Sequence, residues 1–182
     1  VYTKQGTWCE IQDKLIVAMN RLIELTKGSL TLGGLTVEPF SVSHDAADPL
    51  GINVFAGNDK ATVVTDTGVI SDDILRRLDD TTLLVLEANY DPHMLRFGPY
   101  QPFLKQRVAS DEGHLSNEMA AQALLMMKRP NFMQVILAHR SENNNNAVLV
   151  TQTIGKMLVD GGVRIGPEMK LQHGQPNEIG SI

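Results

Sequence analysis

Leu83-Leu84-Val85-Leu86-Glu87 decides how this chain is read. Four aliphatic residues in succession between turn-forming neighbours read as a short buried strand. The strand closes on a carboxylate, which is costly to bury without a partner. Three further runs repeat the pattern: Phe40-Ser41-Val42-Ser43-His44-Asp45, Ala61-Thr62-Val63-Val64-Thr65-Asp66 and Val135-Ile136-Leu137-Ala138-His139. Open α/β folds collect their chemistry just outside the carboxyl ends of such strands. One strand ending on histidine means little. Four ending on His, Asp, Glu and His point to one site.

The segments around these strands complete an alternating pattern. Residues 35–42 read as a strand, and 52–56 with 60–65 read as a hairpin across Gly57-Asn58-Asp59. Residues 71–78 carry helix signals: Ser71 to cap, Asp72 and Asp73 in the first turn, Arg76 and Arg77 in the last. Residues 92–108 read as broken helix, interrupted by Gly98-Pro99 and Pro102. Residues 117–128 and 147–159 read as helices, with the strand 133–139 between them and Gly161-Gly162 ending the second. Residues 163–171 read as a last strand. Residues 5–27 read as mostly helical, since Trp8, Ile11, Leu15, Ile16 and Met19 fall near helical spacing. Strands alternating with helices predict an α/β fold with a layered core and one domain over 1–182. Asn143 to Asn146 is the sole low-complexity stretch.

Composition narrows the class. With 42% hydrophobic and 20% charged residues over 182 positions, the chain can bury a real core. No apolar run approaches the roughly 18–20 residues of a membrane span. The N-terminus shows neither the basic nor the apolar region of a signal peptide. A lone cysteine, Cys9, leaves no internal disulfide framework, so a cytoplasmic protein is expected. A net charge of −5 argues against coating nucleic acid by charge alone. It leaves room for an enzyme that meets phosphates through bound cations, which the count omits.

His44, Asp66 and His139 are candidate metal ligands, because imidazole and carboxylate suit zinc or manganese and a carboxylate can bridge two ions. Taken singly, each also reads as a hydrogen-bonded strand-end residue or, for Asp66, a turn former. In Gly113-His114-Leu115-Ser116-Asn117, the glycine frees the backbone and Ser116 or Asn117 caps the next helix. His114 then stands just before a helix start, where amides favour phosphate. The plain alternative is a well-capped turn. Glu87 beside a protonated histidine would make a proton donor; alone, it would simply reach solvent. Ser141 and Asn143 follow His139 as loop hydrogen-bonders. Arg96, Lys105 and Arg107 read as a basic rim or as solvated surface. His93 and His173 read as surface.

Together, Ser43-His44-Asp45-Ala46-Ala47-Asp48-Pro49, Thr65-Asp66-Thr67-Gly68, Glu87-Ala88-Asn89, Leu104-Lys105-Gln106-Arg107, Gly113-His114-Leu115-Ser116-Asn117-Glu118 and His139-Arg140-Ser141-Glu142-Asn143-Asn144 resemble the YycJ/WalJ/VicX family of metallo-β-lactamase fold hydrolases. The resemblance implies an αββα sandwich, of which this chain would be the C-terminal portion. It implies two divalent metal ions, zinc or manganese, with His44 and His139 as ligands and Asp66 as the bridge. By likeness to RNase Z type enzymes, Glu87 would orient His114 as general acid, and Ser116, Asn117, Ser141 and Asn143 would contact substrate. The implied activity is 5′ exonuclease action on DNA. Two departures are expected to matter. The family's His-x-His-x-Asp-His is absent from these residues, so the chain alone is expected to bind metal poorly and to be inactive. Asn89-Tyr90-Asp91 also stands where the family tends to have Asn-His-Asp. A thioester or small-ester hydrolase of the same fold, or a non-catalytic regulatory module, are the competing readings.

Overall fold

The computed structural model describes residues 2–14, 23–25 and 28–174. Near the start, β1 (Tyr2–Thr3) and β2 (Ile23–Glu24) pair in parallel, and α1 (Gln5–Ile11) follows β1. The helix expected over 5–27 therefore ends at Ile11, and residues 23–24 are extended; Leu15, Ile16 and Met19 lie outside the described residues. The frame is a seven-stranded sheet. In spatial order it runs β3 (Leu30–Leu32), β4 (Leu35–Ser41), β5 (Leu50–Ala56), β6 (Asp59–Val64), β7 (Leu83–Glu87), β8 (Met133–Ala138) and β9 (Met169–His173). The helices are α2 (Asp72–Leu78), α3 (Pro92–Phe97), α4 (Pro102–Val108), α5 (Asn117–Met126) and α6 (Ala147–Asp160).

Strand direction explains why the polar strand ends meet. β4 is antiparallel to β5 and β5 to β6, while β6, β7, β8 and β9 are mutually parallel. Hence β4, β6, β7 and β8 all point one way, and their carboxyl ends share one edge of the sheet. Residues just beyond those ends must converge there. The hairpin turn is Gly57-Asn58, with Ala56 opposite Asp59, and Gly57 takes the positive φ of 60° that such two-residue turns demand.

Register sets the faces. Leu84 and Leu86 of β7 and Met133, Val135 and Leu137 of β8 point to the side covered by α2, α5 and α6. From α6 come Val150, Ile154 and Leu158, an i, i+4, i+8 stripe. Each fully buried leucine contributes roughly 1.5–3 kcal/mol relative to exposure. A buried polar trio is mutually satisfied: Thr62 Oγ1 donates to Asn53 Oδ1 at 2.8 Å and lies 2.8 Å from the Thr81 hydroxyl. The opposite face carries the cross-strand row Ile52, Val63, Val85 and Ile136, with Val63 40% exposed.

Caps follow the sequence reading. Ser71 accepts from the Ile74 amide at 3.3 Å, Ser116 from Met119 at 3.2 Å, and Asn146 from Leu149 at 3.0 Å. A second boundary differs. The last strand, read from 163, begins only at Met169, after Gly166 N–H donates to Met169 O at 2.9 Å in a tight turn, and it runs on to His173. Val163 and Ile165 mimic a strand by composition, but Gly166-Pro167 breaks it. Among the described residues, no helix is long and apolar enough to cross a membrane.

Candidate active site

Asp66 and His139 sit just past β6 and β8, both at positive φ, 57° and 52°. With Asp80 they are the non-glycine residues of the described chain in that region. Left-handed backbone costs roughly 1–2 kcal/mol per L-residue, and Asp and His tolerate it better than most. Strain held at two converging strand ends marks a place where side-chain direction matters more than backbone comfort.

Glu87 is the centre of the cluster and is completely buried. Its Oε2 accepts the Thr67 amide at 3.1 Å. Its Oε1 lies 3.3 Å from His139 Nδ1 and 2.7 Å from His114 Nδ1, the latter outside the angular range of a hydrogen bond. Burial pushes the Glu87 carboxyl up, but His114, His139 and the Thr67 amide together hold it below its ordinary value. Glu87 in turn lifts His139 above the usual imidazole value, against the opposing effect of burial.

The third histidine is fixed differently. His44 Nδ1 lies 3.0 Å from the Gly113 carbonyl, and since a carbonyl only accepts, Nδ1 carries the proton. Its Nε2 is left 3.8 Å from Asp66 Oδ1 and 3.6 Å from Asp45 Oδ1. From the other side His139 Nε2 comes within 3.6 Å of the same Asp66 oxygen. Two donors ~2.1 Å from a tetrahedral ion lie ~3.4 Å apart, so Asp66 stands at ligand spacing from both rings. Holding Nδ1 by a carboxylate or carbonyl while Nε2 faces inward is how proteins orient metal-binding imidazoles. The donor set fits a divalent ion. Asp66, His114 and His139 also offer donor atoms all within 4.8 Å of one another. In that tight grouping His114 stands where the sequence reading put His44, which joins through Asp66. Ring centroids of His44 and His139 are each 5.0 Å from His114.

Gly113 owes its place to space rather than to backbone freedom. A Cβ there would lie 2.2 Å from the Arg107 carbonyl oxygen and 2.4 Å from that of Val108. Gly113→Ala must therefore shift the loop that carries His114 and that supplies the His44 acceptor. We expect a stability loss of roughly 1–3 kcal/mol with a fall in turnover. Denaturant melts and activity of the variant check both, and wild-type values in each would contradict the tight packing.

The expected substrate contacts divide. Ser141 and Asn143 line an open cavity of about 350 Å³ beside His44, His114 and His139. Ser116 and Asn117 do not line it. Ser116 caps α5, and Asn117 is fully buried in a mutual amide pair with Asn145, at 2.8 and 3.2 Å. Their side chains are hydrogen-bonded within the fold. Arg107 reaches the cavity but is paired in a fork with Asp45, at 3.1 Å through its second nitrogen. That pair holds the Asp45 carboxyl below its usual value. His93 is exposed, whereas His173 is half-buried, 2.8 Å from Thr151 Oγ1.

Several positioning residues escaped the sequence reading. Asn89 Nδ2 donates to the His139 carbonyl at 2.7 Å. Asn145 Nδ2 donates to the Ala88 and Asn89 carbonyls, each at 3.1 Å, tying the end of β7 to the start of α5. Asn145 lies in the asparagine run, which reads as low complexity, and Asn89 closes the Glu87-Ala88-Asn89 segment.

Comparison with known proteins agrees with the geometry. Residues 1–139 match the Beta-lactamase superfamily domain. The chain is 32% identical over 178 residues to exodeoxyribonuclease YycJ of Bacillus anthracis, covering 97% of this chain and 67% of that protein. It is 30% identical over 182 residues to exodeoxyribonuclease WalJ of Streptococcus pneumoniae, with the same coverages of 97% and 67%. Among solved structures, the metallo-beta-lactamase fold protein YhfI from Bacillus subtilis superposes with a TM-score of 0.66 at 14% identity, over 93% of this chain and 60% of that one. The chain thus spans about two thirds of the length of the curated relatives and 60% of the YhfI chain.

Proposed function

The chain belongs to the metallo-β-lactamase superfamily of hydrolases and to its YycJ/WalJ family, and on that premise we propose that it is a metal-dependent phosphodiesterase acting as a 5′ exonuclease on DNA. One observation carries the reading: a fully buried Glu87 shared between His114 and His139, with Asp66 at ligand spacing from both His139 and His44. In this reading His44, Asp66 and His139 would hold divalent ions, zinc or manganese. When bound, such ions would supply Lewis acidity toward the phosphoryl group and a nucleophile drawn from water at neutral pH. Glu87 faces His114 Nδ1 and orients the ring, and His114 delivers a proton to the leaving oxygen. That acid favours a phosphodiester over a thioester, because a thiolate leaves without help and an alkoxide does not.

Nucleic acid as substrate draws support from the surface of α3 and α4. Phe97 and Phe103 are 66% and 71% exposed, and the Arg96 guanidinium packs over Phe97 at 5.3 Å. Exposed rings among cations are the pattern of a stacking platform for single strands. Ser141 and Asn143 contact the substrate from the cavity wall. A single exposed cysteine, Cys9, suits the cytoplasm. Catalytic zinc sites draw about three protein ligands per ion. His44, Asp66 and His139 are too few for two ions, so these 182 residues alone should bind metal weakly and turn over slowly.

Metal analysis and a nuclease assay on the protein as its gene encodes it test the reading. Chelator should abolish cleavage of 5′-phosphorylated DNA, and zinc or manganese should restore it. Asp66→Asn, which keeps the left-handed backbone accessible, should lower bound metal and cleavage together. Cleavage indifferent to chelator would end the metal reading.

A further inference from the structure

We propose that the cavity beside the metal donors is a pocket for one terminal nucleotide, with the Tyr100 ring taking the base and the Arg140 guanidinium taking its phosphate. The inference rests on the nuclease reading and names its substrate more closely.

The cavity has two chemically different walls. Tyr100, Leu104 and Val108 bring apolar surface to it, and Arg140, Ser141, Glu142 and Asn143 bring polar groups; His114 and His139 also line it. A small ester or a bare phosphate has no use for the apolar side, whereas a nucleotide has one face for each. Tyr100 is held for the purpose: its ring packs against the buried Tyr90, Leu95 and Val108, and its hydroxyl lies 3.5 Å from Asn143 Nδ2. A ring held by that packing stacks a base with little loss of freedom.

Arg140 is the free cation of the pair that reaches the cavity. Arg107 is forked onto Asp45. Arg140 is only partly exposed, and among the described residues it pairs with no carboxylate. A partly buried guanidinium without a counter-ion, next to His139, suits an incoming phosphate in a fork geometry. Size limits the occupant. Small-molecule pockets run from roughly 300 to 1,000 Å³, and this open cavity, at about 350 Å³, has room for one nucleotide.

The experiment is calorimetric titration of the metal-loaded protein, as its gene encodes it, with deoxyadenosine 5′-monophosphate and with deoxyribose 5-phosphate, which lacks the base. Neither ligand holds a phosphodiester to cleave. Tyr100→Ala should weaken the nucleotide by roughly 5- to 150-fold, the range of base stacking, and leave the sugar phosphate unchanged. Tyr100→Phe should bind as the parent does, and Arg140→Gln should weaken both ligands. Tyr100→Ala with unchanged nucleotide affinity, or with both ligands weakened alike, overturns the pocket. The same protein is assayed on DNA. If it cleaves none yet binds the nucleotide through Tyr100, the exonuclease reading fails and the pocket stands. If it cleaves DNA with Tyr100→Ala indifferent in binding, the reverse holds.

Discussion

Glu87→Gln should lower metal affinity by roughly 10- to 100-fold and DNA cleavage by about 10²- to 10⁴-fold while leaving the fold intact. Glutamine has the shape of the side chain it replaces but cannot satisfy its surroundings. One carboxylate oxygen faces the Nδ1 atoms of His114 and His139, and the other accepts the Thr67 amide. Whichever way the amide is turned, its NH₂ meets a donor. His139 then loses the acceptor that keeps its proton on Nδ1 and its Nε2 free, and His114 loses the carboxylate that faces its Nδ1. The charge has its own signature in stability. Glu87 titrates below its ordinary value in the folded chain, so its contribution is present above the unfolded value and is lost as pH falls through the folded one. In chelated protein, wild type should lose more stability across that acid window than Glu87→Gln does, since Asp45 and Glu168 titrate below their ordinary values in both. Metal content, turnover and acid melts read the three effects. A variant with wild-type metal and turnover would remove Glu87 from the site.

The convergence of strand ends was legible in the sequence because direction and periodicity are local properties that the sheet merely adds up. Phe40 to His44, Ala61 to Asp66, Leu83 to Glu87 and Val135 to His139 each announce a strand and a polar terminus. Once β4, β6, β7 and β8 run one way, their ends must meet. What a linear pattern does not encode is which nitrogen faces which oxygen. Glu87 was read as partner to His114; it also holds His139, a contact made across 52 positions. Asn145 was hidden in a run of like residues, though its amide alone joins β7, α5 and the start of α6. Ser116 and Asn117 show the opposite effect. Polar residues beside a candidate catalytic histidine invite a functional reading, but a helix start has amides of its own to satisfy, and Ser116 caps α5 while Asn117 pairs with Asn145. The last strand, read over 163–171, starts late, at Met169, because β-branched composition outweighed one glycine-proline pair.

His114→Ala separates the two roles that the geometry allows this residue. Its ring sits between His44 and His139 and shares Glu87 with the latter, which suits a proton donor. It also belongs to the tightest donor grouping, which suits a ligand. As an acid, its loss should cost about 10²- to 10⁴-fold on DNA, where the leaving group is an alkoxide. The same loss should cost little on bis(p-nitrophenyl) phosphate, whose phenolate leaves unaided. Bound metal should stay at the parent level. As a ligand, its removal would lower metal content and depress both substrates together. The ratio of the two rates therefore assigns the proton, and metal analysis assigns the ligand. Equal losses on both substrates with depleted metal would move His114 into the metal's own coordination and leave the leaving group to be protonated by solvent. An acid held against a completely buried carboxylate predicts the first outcome, because Glu87 would be a costly group to keep in the core if all it did were to steady a ligand that Asp66 and His139 could replace.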